Sequence, residues 1–66
     1  MMKEIVTAIP PEELGEIAEK SGARVSLTVE KVEPFHGMPR YRVRIEGAEE
    51  EVERFMEKIR LARAGG

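Results

Sequence analysis

The spacing of apolar positions changes repeatedly along this chain, and each change marks an element. Lys3 to Ile9 is rich in β-branched residues and stops at Pro10-Pro11, which predicts a first strand. Pro11 then suits a first helical turn and Glu12 and Glu13 complement the positive end of a helix dipole, while Leu14, Ile17, Ala18 and Ser21 recur at helical spacing. These predict a helix from Pro11 to Lys20, closed by Gly22 in the left-handed conformation. From Ala23 the period falls to two: Val25, Leu27 and Val29 share one face, and Arg24, Ser26, Thr28 and Glu30 share the other. Val32 breaks that alternation, so a bulge or strand end is expected near Lys31, and Glu33 to Pro39 is expected to form a hairpin loop.

Arg40-Tyr41-Arg42-Val43-Arg44-Ile45 alternates again and predicts a third strand to Glu46, cationic on one face and apolar on the other. Gly47 ends it. Glu49, Glu50 and Glu51 open a second helix whose apolar stripe is Val52, Phe55, Met56, Ile59 and Ala62, with Glu50 and Arg54 expected to pair one turn apart. Ala64-Gly65-Gly66 is too short to make a further strand and reads as a frayed end.

Residues 1–66 thus form one domain of the α+β class. The expected fold is a two-layer βαββα sandwich, a three-stranded antiparallel sheet in the order 1-3-2 with the arginine-bearing strand central and both helices on one face. A right-handed crossover through the first helix is expected to set the first strand parallel to the third. The first strand then has an exposed edge, Ile5 to Ile9, without an internal charge or proline, which soluble proteins usually avoid. Pairing with the same strand of a second copy resolves this. Ile5, Thr7 and Ile9 are therefore the expected partner-binding residues of a homodimer, the alternative being that Leu61 to Ala64 fold back over the edge.

Pro11-Glu-Glu-Leu14-Gly15-Glu-Ile17-Ala18, followed by the small-residue turn Ser21-Gly22-Ala23 into Arg24-Val25, resembles the start of ACT and NIL regulatory domains. The resemblance spans most of the chain as a pattern, and the predicted order looks like a ferredoxin-like domain truncated before its last strand. It implies a small non-enzymatic regulatory module that pairs side by side. The loop glycine that contacts the ligand in ACT domains has no counterpart, because Gly15 falls inside the helix.

Composition narrows the classes further. Cysteine is absent and His36 is the single histidine, which excludes disulfides and a zinc cluster, and no cofactor is implied. The 66 residues lie near the lower limit for a core that stabilises itself, so self-association gains weight. No apolar run reaches membrane-spanning length, and a soluble, cytoplasmic protein is expected. Asp, Asn, Gln and Trp are also missing and charged residues reach 36%, a composition that fits a thermophilic source. Net charge is -2, but most of the Glu residues fall in the two helices, which leaves the remaining surface basic.

Arg24, Arg40, Arg42 and Arg44 are accordingly the candidate anion-binding residues, on an open sheet face with Ser26 and Thr28 between them. Their ordinary role would be a salt network with Glu4, Glu30 and Glu46. The same face supports a second function, an RNA-binding or ribosome-associated protein contacting phosphates. Base stacking in the manner of an RNA-recognition motif is excluded by Tyr41, which shares the core face, and a K-homology clamp by the lack of Gly-x-x-Gly. Phe35 and Met38 in the hairpin are candidate partner-binding residues, or a satellite of the core. His36 has no second group spaced to orient it, so no catalytic site is assigned.

Overall fold

The computed structural model describes residues 1–63 and contains β1 (Met2–Thr7), α1 (Pro11–Ser21), β2 (Ser26–Phe35), β3 (Met38–Glu46) and α2 (Glu49–Arg63). The strands lie in the order β1-β3-β2, an α+β arrangement of the truncated ferredoxin-like kind. One detail of the crossover differs from expectation. Strand β1 runs antiparallel to β3, as β2 does, so the strands that the connection through α1 makes parallel are β1 and β2, with β3 between them.

Alternation on β3 divides the sheet into a buried and an open face. Val43 and Ile45 are fully buried against Leu14 and Ile17 of α1 and Val52 and Phe55 of α2, whereas Arg42 and Arg44 are exposed. Both helices therefore cover one face. Ile5, Leu27, Val29 and Tyr41 ring this core as half-buried neighbours.

Strand β1 ends two residues before the expected Ile9. The Thr7 hydroxyl accepts a hydrogen bond from the Ile9 amide at 3.1 Å, a local turn that bends the chain and directs Ile9 into the core, where it is 3% exposed. Ile9 is thus a core residue and not an edge contact. The strand also includes Lys3 and Glu4, so its edge is uncharged only from Ile5 to Thr7. Among the described residues no strand pairs with its outer side.

Helix α1 closes as expected, with Gly22 at φ 69° and its N–H donating to the Glu19 carbonyl. The Ser21 hydroxyl donates to the Ala18 carbonyl and accepts from the Ala23 amide, which leads the chain out of the helix. Strand β2 starts at Ser26 and not at Ala23, because the Arg24 amide donates to the Glu51 carboxylate at 2.8 Å and is tied to the first turn of α2. The same carboxylate takes Arg54 at 3.4 Å, in place of the expected Glu50–Arg54 pair.

The hairpin is tighter than a loop from Glu33 to Pro39. Both strands continue to a turn at His36-Gly37, whose φ values of 51° and 78° are the left-handed pair that matches the twist of a two-stranded ribbon. Val32 does not break the alternation; it faces Arg40 on the open side of the sheet. The irregularity comes one step later, where Glu33 and Pro34 together lie opposite Pro39, and it turns Phe35 onto the open face opposite Met38. Leu61 and Ala62 remain helical and exposed, so the fold-back alternative has no support within the described residues; Ala64 and the closing glycines lie outside them. No described helix is long and apolar enough to cross a membrane.

A methyl group at Gly37 would meet open space, so its cost is conformational. Gly37→Ala is expected to destabilise the domain by about 1 kcal/mol and lower its melting temperature by roughly 4–8 °C, whereas His36→Asn leaves it within about 0.5 kcal/mol, since Asn tolerates φ > 0. Thermal unfolding followed by circular dichroism checks both; equal stability of Gly37→Ala and wild type would refute the turn assignment.

Candidate functional site

Register fixes which side chains share the open face. Along β3, Glu46, Arg44, Arg42 and Arg40 face Met2, Glu4 and Val6 of β1 on one side and Ser26, Thr28, Glu30 and Val32 of β2 on the other. Three arginines are thus accompanied by three glutamates, and the face is charge-balanced where the sequence pattern suggested it was basic.

The carboxylates engage two of the arginines. Arg42 Nη1 lies 2.8 Å from Glu30 Oε1 and its Nε 3.9 Å from Glu4 Oε1, while Arg44 Nη2 lies 3.8 Å from Glu4 Oε2. With Thr28 these four residues line a shallow hollow of about 290 Å³. All their charged side chains are about half exposed, so each pair contributes at most about 1 kcal/mol and is open to exchange with an incoming charged group.

Arg24 stands apart from this network. It precedes β2, beside Gly47 at the end of the sheet remote from Arg40, and its backbone is held by Glu51. The structure therefore does not bring Arg24 together with Arg40, Arg42 and Arg44.

Arg40 marks a second region of the same face. Its guanidinium carbon lies 5.3 Å from the centre of the Phe35 ring, its Nε is buried without a hydrogen-bond partner, and no described carboxylate lies within ion-pair distance. Val6, Thr7, Ala8, Phe35 and Met38 surround it in a hollow of about 420 Å³, with Val6, Phe35 and Met38 each at least half exposed. Phe35 and Met38 are therefore not folded back onto the core but displayed with an arginine. Sequence pattern alone missed Val6 and Val32 as members of this face; their even numbering, shared with the arginines across a straight register, was the available signal.

Of the expected edge residues, Ile5 and Thr7 are half-buried and face the helices, so what β1 offers on its outer side is backbone, with Val6 and Glu4 flanking it on the open face. His36 stacks edge-on against Phe35, ring centres 4.1 Å apart, and makes no hydrogen bond to a carboxylate among the described residues. Among those residues no group of three or more potential metal ligands occurs either.

A family model described only as an uncharacterised protein matches residues 1–66. No curated protein and no solved structure matches the chain.

The ion-paired half of the face generates a direct test. Wild-type protein is expected to bind a single-stranded RNA probe weakly and with little salt dependence, whereas the double variant Glu4→Gln/Glu30→Gln, which releases Arg42 and Arg44, gains about 10-fold at low salt. Filter binding across a salt series measures this. A steep salt slope for the wild type would show that the glutamates do not hold the arginines.

Proposed function

The chain belongs to that family, and from its geometry we propose that it is a non-enzymatic interaction module working as a homodimer, joined along β1 and docking a partner on the open face of the joined sheet. The observation that carries this reading is the outer edge of β1. Among the described residues no strand meets its outward backbone donors and acceptors, which lie next to exposed Val6, Phe35 and Met38. The opposite edge of the sheet is defended: β2 carries Lys31, Pro34 and the bulge before Phe35.

A small core supports the same reading. Ile9, Leu14, Ile17, Val43, Ile45, Val52 and Phe55 are the buried apolar residues of a chain near the size limit for independent folding, and pairing adds burial that a single copy lacks. Joining two β1 strands yields a six-stranded sheet with four helices on one side and a broad uncovered face on the other. Arg42, Arg44, Glu4 and Glu30 give that face both signs of charge, which suits a protein partner with its own mixed charges better than a polyanion. The ACT-like and NIL-like pattern of the sequence agrees with a regulatory role for such a pair.

Sedimentation equilibrium tests the core of the proposal. A dimer is expected at about 50 μM chain, and Val6→Glu, which places a negative charge on the edge, is expected to weaken it by roughly 10-fold or more while the circular dichroism spectrum is unchanged. A wild-type monomer at several hundred micromolar, on the order of a hundred times a low-micromolar Kd, would refute it.

A further inference from the structure

The homodimer proposed above can be specified further, because the residues flanking β1 discriminate between the ways two copies can meet. Residues of β1 line a hollow on each face of the sheet. On the open face, the hollow beside Arg40 sits at the C-terminal end of the strand. On the helix face, Met1, Lys3, Val52, Met56 and Ile59 are among the residues around a hollow of about 540 Å³ at the N-terminal end. Apart from Leu61 on α2, the large exposed apolar side chains divide between the same two ends: Met1 and Met2 at one, Val6, Phe35 and Met38 at the other. A two-fold axis through the middle of β1 lays each end of one copy on the opposite end of the other.

An antiparallel pair related by such an axis must set one residue opposite its own copy, and residues directly opposite each other point to the same face. Lys3 facing Lys3, or Glu4 facing Glu4, brings like charges together, which is unfavourable. Val6 facing Val6 keeps only Ile5 to Thr7 of the strand in register and leaves Met2 with nothing opposite it. Ile5 facing Ile5 keeps Lys3 to Thr7 in register, sets Lys3 against Thr7 and Glu4 against Val6, and brings Met2 level with Ala8, one residue past the strand end.

We infer that the second copy pairs about Ile5, so that its Met2 fills the apolar hollow of Val6, Ala8, Phe35 and Met38 beside Arg40, and its Glu4 lies against Val6. Symmetry makes the contact twice. Half-buried Ile5 meets its own copy on the helix side and extends the core across the axis. On the open side, Glu4 of the second copy lies about two strand spacings, ~10 Å, from Arg42, a gap that a glutamate and an arginine side chain span together. The hollow beside Arg40 is thus one half of a self-complementary seam, incomplete in a single copy.

The chain has no cysteine, so introduced ones report the register directly. Glu4→Cys and Val6→Cys both lie at exposed positions. Under mild oxidation, a mixture of these two variants is expected to cross-link at least ~10-fold faster than either alone, because only residues directly opposite meet the geometry of a disulfide. Ile5→Cys is expected to cross-link with itself. Met2→Glu should weaken the dimer by roughly 10-fold or more in sedimentation, and Met2→Leu should leave it within about twofold. A dimer in which Glu4→Cys alone or Val6→Cys alone cross-links fastest, or which Met2→Glu leaves unchanged, would overturn the register while the homodimer stands. A wild-type monomer with no cross-linking in any variant would remove both.

Discussion

Alternation of side chains along β3 is the constraint on which this molecule depends. The strand lies between β1 and β2, so a shift of one residue would exchange Val43 and Ile45 for Arg42 and Arg44 and place guanidinium groups against Leu14 and Phe55. Burying one such charge unpaired costs several kcal/mol, of the order of the whole stability of a domain this size. The register is therefore enforced by what must stay out of the core as firmly as by what fills it. Its neighbours follow suit: β1 contributes Ile5 and β2 contributes Leu27 and Val29 to the helix side because β3 leaves them no other choice.

The elements, their order and the place of the arginine strand were legible in the sequence because they rest on periodicity and on local signals such as Pro11 and Gly22, which act within a few residues. What could not be read was decided by individual contacts, distant or local, that a pattern of apolar positions does not carry. Strand β2 starts late because Glu51, on α2, captures the Arg24 amide. Strand β1 stops early through the Thr7 hydroxyl, a hydrogen bond short in sequence but invisible to a pattern of apolar positions. The pattern puts a bulge or strand end near Lys31 because apolar Val32 falls on the polar face of β2, whereas Val32 keeps its place on that face opposite Arg40.

The arginines show the same division between position and environment. Their shared face was readable, and so was the possibility that glutamates oppose them. Which glutamates do so depends on register across two strand pairs, and it leaves Arg42 and Arg44 compensated while Arg40 sits among apolar neighbours. One strand thus carries chemically identical side chains into two surroundings. The first is a solvent-exposed ionic network, and the second sets a partly buried guanidinium against an aromatic ring, the kind of composition found at the centre of protein interfaces.

The irregular outer strand has an effect beyond the hairpin it shapes. A sheet with two accepting borders can add chains without limit and grow into a fibre, whereas a sheet with one sealed border can add once and then has nothing left to offer. By kinking β2 at Glu33-Pro34, the chain limits the regular stretch of that border to Ser26 to Val32, which shortens what a further chain could add to there.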